Sequence, residues 1–262
     1  MNTYHVICIK WGDYYTAGDV NKLFSMVKRN TSLPVTFHCF TGETEGLDPA
    51  IQTHPRPTMN VSDALNKYAY KKEAGLCDDT LGGLVGERVF FFDLDSLIVG
   101  NLDELFTCPQ GDEFYIIKDW NTHGDHVGQA SCYSWVVGTL GFVKTYFEQH
   151  PEEIVKRYHT ASQEYLSAKV IERYGALHFW PDNWFKSFKF HCLPIGILRP
   201  FFPAKLPRVE GLKMIAFHGY PGLDEAIVGT WTKDVTSKKR AYSWKKIYKT
   251  IKPCPWILDY WK

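Results

Sequence analysis

Short apolar runs alternate along the chain with stretches where apolar residues recur every three or four positions. Tyr4–Ile9 and Pro34–Phe40 are runs of strand length. Between them Val20, Leu23, Phe24 and Val27 follow helical spacing, behind a capping-box start at Thr16-Ala-Gly-Asp19 and with Lys28 and Arg29 in the last turn. Strand, helix, strand is a βαβ unit, so a parallel sheet opens here. Val89–Phe92 is an unbroken apolar run of the kind buried on both faces of such a sheet. Glu113–Ile117, Tyr133–Val137 and Lys213–Phe217 read as further strands. The periodicity predicts helices over Ser62–Ala74, Asn101–Phe106, Phe142–Tyr158 with a break at Pro151, and Gln163–Tyr174 closed by Gly175. Residues 42–60 read as loops with room for one short edge strand. The whole is an α/β domain with a mostly parallel central sheet flanked by helices.

The chain is organised around Arg88–Val99, where Asp93 and Asp95 end the central apolar run. In an extended chain residues two apart point the same way, so both carboxylates face one spot. Burial raises the cost of their repulsion, and a divalent cation removes it; oxygen ligands suit Mg²⁺ or Mn²⁺, which also hold substrate phosphates. Ligands of open α/β sheets sit at the carboxyl ends of strands, which makes Lys10–Tyr15 a second candidate loop. Lys67 lies on the helix before the central strand, where a solvated lysine is the ordinary reading. His123, Asp125 and His126 form a polar cluster that fits zinc only loosely, with no cysteine framework or His-Glu-x-x-His to support it; they are expected in a loop over the site.

Composition narrows the classes. The 262 residues are 45% apolar, enough for a sizeable core, and 16% aromatic. Lys and Arg total 30 against 29 Asp and Glu, which argues against a nucleic-acid binder. The seven cysteines form no Cys-x-x-Cys pair and read as reduced thiols of a cytoplasmic protein. Met1–Lys10 lacks the pattern of an export signal, and no apolar run approaches the ~20 residues of a membrane span. The stretch from Trp231 is rich in Trp, Tyr and Lys. It reads as an appendage, 231–262, packed on a domain of residues 1–230, with peripheral contact to a membrane as the alternative.

Taken together, Cys8-Ile-Lys-Trp-Gly12, Phe92-Asp-Leu-Asp95 followed by Asn101-Leu-Asp-Glu-Leu105, Lys118-Asp-Trp120, Gln163 and Phe217-His-Gly219 resemble glycosyltransferases of the GT-A fold, family 8, the family of glycogenin and of bacterial lipooligosaccharide galactosyltransferases. The resemblance covers most of residues 4–222. It implies a single GT-A, Rossmann-like domain that moves a sugar from a nucleotide-diphosphate sugar, most simply a UDP-sugar, to a glycan or other hydroxyl acceptor with retention. By the same resemblance Asp93, Asp95 and His218 hold the metal, and a nitrogen ligand favours Mn²⁺ over Mg²⁺. Ile9, Lys10 and Tyr15 hold base and ribose, Leu94 lies near the ribose and Lys67 near the donor. Asp119 binds sugar hydroxyls, and Gln163 sits at the reacting carbon. Two positions depart from the family pattern: Ser162-Gln163-Glu164 stands where Asp-Gln-Asp is usual, and the lysine that follows the histidine motif is absent, with Gly222 and Leu223 in its place.

Two other readings compete. A haloacid-dehalogenase-type phosphatase would use Asp93 as nucleophile and Asp95 as acid and base, but its motif ends the first strand of its core, and here a whole βαβ unit comes first. A non-catalytic sugar-binding module would explain the aromatics but not a buried carboxylate pair.

Overall fold

The computed structural model describes residues 3–68, 70–121, 124–231 and 250–262. Its centre is a seven-stranded sheet in the order β3-β2-β1-β4-β7-β6-β8. The strands are β1 (Tyr4–Ile9), β2 (Val35–Phe40), β3 (Gln52–His54), β4 (Arg88–Phe92), β6 (Tyr115–Lys118), β7 (Gly128–Val136) and β8 (His178–Phe179). Four pairings are parallel, β1 with β2 and β4, β2 with β3, and β6 with β8; β7 runs antiparallel to β4 and β6. A smaller sheet, β5 (Ser96–Ile98), β10 (Met214–Ala216) and β9 (Phe185–Ser187), forms beside it.

The first crossover is helix α1 (Ala17–Arg29), and its start is the expected capping box: Thr16 Oγ1 accepts from Asp19 N, and the Asp19 carboxylate accepts from Thr16 N at 2.8 Å. The central sheet is covered on both faces, as an apolar run without alternation requires. Val6, Cys8, Phe90 and Phe92 pack with α1, the small sheet and the C-terminal residues. Ile7, Ile9, Val89 and Phe91 pack against α4 (Gly141–Gln149), α5 (Pro151–Tyr158) and α6 (Ser162–Tyr174). Pro151 separates α4 from α5, and Gly175 closes α6 at φ +85°. α3 (Asp103–Thr107) and α7 (Leu223–Val228) are short. Residues 250–262 bury Ile251, Cys254, Ile257 and Trp261 in the α1-side core. Residues 232–249 of the expected appendage lie outside the described residues.

The short strands β5, β8 and β9 were not expected, and two of the expected elements differ in extent. The helix over Ser62–Ala74 reduces to α2 (Asp63–Asn66) followed by turns, in which Ala74 N and Gly75 N both donate to Tyr70 O. The buried residues of this segment are fixed from outside it: Tyr70 stacks on Phe147, and the Lys72 carbonyl accepts from Tyr133 Oη. Strand β7 begins at Gly128, five residues early, because Gln129 and Ser131 hide its apolar pattern; the two side chains satisfy each other inside the sheet, with Gln129 Nε2 donating to Ser131 Oγ at 2.8 Å.

Candidate active site

Chain order turns back on itself between β1 and β4. From β1 the sheet grows outward through β2 and β3, and it then resumes on the other side with β4. Such a switch leaves a crevice at the carboxyl ends of the strands. Asp93 follows β4 there, and Lys10 follows β1.

Residues 93–96 make a turn rather than an extended strand end, with Ser96 N donating to Asp93 O at 3.1 Å. The turn is anchored on both sides: Asp93 N donates to Ser131 O of β7 at 2.9 Å, and Phe217 N donates to Asp95 O at 3.3 Å. Leu94, between the two carboxylates in the sequence, is buried. They still share one site, although by a turn and not by strand alternation. Asp95 is held well above the ordinary carboxylate range, first by burial and then by the Asp93 charge, against the opposing pull of Lys72 and the Tyr15 hydroxyl. Its Oδ1 is buried with no hydrogen-bond partner.

The principal cation here is Lys72, and sequence reasoning missed it. Its ammonium bonds the Asp93 carboxylate and lies 3.7 Å from Glu73 Oε1. Burial lowers its pKa, but Asp93, Glu73 and Asp95 together outweigh burial and raise it. Glu73 is 2% exposed, its Oε2 has no partner, and burial pushes it up to about 7. Three carboxylates thus surround one ammonium. The only sequence signal was Lys71-Lys72-Glu73 in a segment otherwise legible as a solvated helix; nothing local says that Lys72 turns inward.

The other expected residues divide into groups. Tyr15 and Leu94 join Asp95, Tyr14, Gly219, Tyr220 and Trp261 around a cavity of about 350 Å³. The Tyr15 hydroxyl is raised by burial and then by Asp95 and Asp93. Ile9 lines a separate cavity of about 390 Å³ with Thr41, Arg56 and Lys71. Lys10 is buried and paired with Glu43 at 2.6 Å. Lys67, expected near the donor, is exposed with its ammonium over the Tyr68 ring at 5.4 Å, and the lysine that meets Asp93 is Lys72. Gln163, at the start of α6, accepts from Ala130 N at 3.3 Å, next to the Ser131 carbonyl that holds Asp93. Asp119 is 9% exposed and lines a cavity of about 230 Å³ with Trp120, Lys186 and His191.

His218 follows Phe217, whose backbone is bonded to Asp95, but its ring is engaged elsewhere. Nε2 lies 2.7 Å from Ser187 Oγ, and the ring stacks on Trp120. Burial, aided by Lys189 and His191 and opposed by Asp119, lowers its pKa to about 4, so the imidazole is neutral near pH 7 and protonation falls below the ordinary imidazole range. Among the described residues no group of three His, Cys, Asp or Glu side chains is placed to hold a metal ion. Asp125 pairs with Lys118 at 2.6 Å, and His123 lies outside the described residues. The group that fits a divalent cation is therefore the Asp93–Asp95 pair, which offers hard oxygen donors, one of them without a partner.

Comparison with known proteins bears on the fold. No family model and no curated protein sequence matches the chain. Among solved structures it is similar to the galactosyltransferase LgtC in complex with donor and acceptor sugar analogs, at 12% identity over 84% of this chain and 88% of that one, with a TM-score of 0.54. It is also similar to the apo form of the glycosyltransferase GlyE of Streptococcus pneumoniae TIGR4, at 12% identity over 99% of this chain and a TM-score of 0.50. The chain spans 63% of the length of that GlyE structure. The fold is the GT-A fold. At this level of identity the likeness is one of fold, and the chemistry has to be argued from the site itself.

Proposed function

We propose that the protein is a metal-dependent glycosyltransferase that takes a sugar from a nucleotide diphosphate, UDP by preference, and delivers it to a hydroxyl acceptor on a glycan with retention of configuration. The observation that carries the reading is the partnerless buried oxygen of Asp95 beside Asp93, at the switch point of a GT-A sheet. Mn²⁺ or Mg²⁺ held by that pair would neutralise the charge that develops on the departing diphosphate.

The protein's own groups have distinct tasks in this reading. Lys72 holds the Asp93 carboxylate through its ammonium and fixes its direction. Tyr14 and Tyr15 wall the cavity next to Asp95 and offer rings on which a base can stack. Gln163 is fixed to β7 by its amide oxygen, which leaves its amide nitrogen to face the reacting sugar. Asp119 supplies a carboxylate for sugar hydroxyls from the neighbouring cavity. His218 stays neutral, and in this reading it leaves Ser187 to become the third metal ligand. No helix among the described residues is long and apolar enough to cross a membrane, and in this reading the enzyme works in the cytoplasm.

A thermal-shift screen of nucleotide sugars with and without Mn²⁺ tests the reading. UDP-sugars should raise the melting temperature only with metal present, and turnover should release intact nucleoside diphosphate. A phosphoryl group trapped on Asp93 would instead assign the protein to the phosphatases.

A further inference from the structure

Loops are normally polar, but the loop spanning residues 193–204 is not. It leaves the core at Cys192 and re-enters at Ala204, both buried, and its base is closed by Lys205 N donating to Cys192 O at 3.0 Å. Trp256 Nε1 ties the re-entry point down by donating to Ala204 O at 3.0 Å. The sequence between is Leu-Pro-Ile-Gly-Ile-Leu-Arg-Pro-Phe-Phe-Pro. It makes two successive turns, with Leu198 N donating to Ile195 O and Phe201 N to Leu198 O. Arg199 Nε donates to Pro194 O across the loop. The loop is therefore a shaped, pinned projection with its ends close together.

Its tips face solvent. Ile195 is 78% exposed, Ile197 61%, Leu198 41%, Phe201 68% and Phe202 53%. Five large apolar side chains on one short loop exceed the scattered singles normal for a surface. The charges nearest them along the chain, between Asp182 and Glu210, are of one sign. Residues 183–209 carry Lys186, Lys189, Arg199, Lys205 and Arg208 and no Asp or Glu, in a chain whose net charge is only +1. Lys189, Lys205 and Arg208 are exposed. Apolar tips flanked along the chain by exposed cations match a bilayer with anionic headgroups: the tips enter the acyl boundary, and the cations stay at headgroup level.

We propose that the loop 193–204 seats the protein on an anionic lipid surface. The face it defines adjoins the candidate active site, since Phe190, just before the loop, lies 5.6 Å from the His218 ring. A second consequence rests on the transferase reading: the acceptor hydroxyl is then presented at the bilayer surface, on a lipid-carried glycan.

Vesicle sedimentation of the 262-residue chain tests the seating without reference to catalysis. The protein should pellet with phosphatidylcholine vesicles carrying about a quarter phosphatidylglycerol, pellet weakly with pure phosphatidylcholine, and be released by high salt. The double variant Phe201→Ser, Phe202→Ser should bind roughly tenfold or more weakly. Ile195→Ser, Ile197→Ser should do the same, and both should keep the wild-type melting temperature. Equal pelleting of wild type and variants would overturn the proposal and move any membrane contact to another segment. A wild-type protein that stays in the supernatant would also overturn it, as would light scattering that showed these side chains to hold two copies of the chain together in place of lipid.

Discussion

Glu73 is a buried carboxyl with a titration near neutrality, and the direction of its effect on stability follows from its environment. Burial raises its folded pKa to about 7, above the usual 4.5. The native state therefore holds a proton that the unfolded chain releases, so Glu73 stabilises the fold at acid pH and this contribution is lost as pH rises from about 4.5 to about 7. Glu73→Gln should make the metal-free protein more stable than wild type by about 2–3 kcal/mol at pH 8 and by under about 1 kcal/mol at pH 5. Urea denaturation in EDTA at the two pH values reads this, and an equal effect at both would refute it. This prediction was out of reach of the sequence. Asp93 and Asp95 were legible as a pair because an apolar strand runs straight into them. Lys72 and Glu73 were not, because a Lys-Lys-Glu run carries no mark of which side chain will be buried. His218 was legible as a residue of the crevice edge but not as the partner of Ser187, 31 positions away.

At the scale of elements, local signals with a backbone mechanism held. Thr16 and Asp19 form the capping box that starts α1 directly after the Tyr14–Tyr15 wall of the cavity. Thr16→Ala removes the acceptor for a helix N–H and should cost about 1 kcal/mol, which in a domain of this size is a fall in melting temperature of roughly 2–4 °C. Calorimetry checks it, and an unchanged melting temperature would show that the cap is redundant. Pro151 and Gly175 likewise marked real boundaries. Elements whose pattern is set by distant partners were misjudged. The segment after Asn66 trades helix for turns because Tyr70 is held by Phe147 of α4 and Tyr165 of α6, and the Lys72 carbonyl by Tyr133 of β7. The start of β7 was hidden because Gln129 and Ser131 meet their hydrogen-bonding needs by pairing inside the strand. The strands β5 and β9 are three residues long and take their identity from pairing with β10, which no local pattern expresses.

At the scale of the molecule, the βαβ opening and the central apolar run sufficed for a mostly parallel sheet with its ligands at the carboxyl ends. The strand order, and with it the switch between β1 and β4 that makes the crevice, came only from the assembled structure. The crevice unites a turn after β4, a cavity wall after β1, a carbonyl from β7 and the backbone of Phe217, segments spread over most of the chain. In the proposed function Asp93 and Asp95 hold a divalent cation there together with a nucleoside diphosphate. Isothermal titration of UDP in the presence of Mn²⁺, on wild type and Asp95→Asn, addresses this most directly. Asn keeps the shape of the side chain but removes the charge, so the melting temperature should not fall. The affinity for UDP with Mn²⁺ should drop by more than the roughly 10–100-fold that changes outside the ligand shell cost, while any weak metal-free binding stays as it was. An Asp95→Asn protein that binds UDP with Mn²⁺ as tightly as wild type would contradict the account.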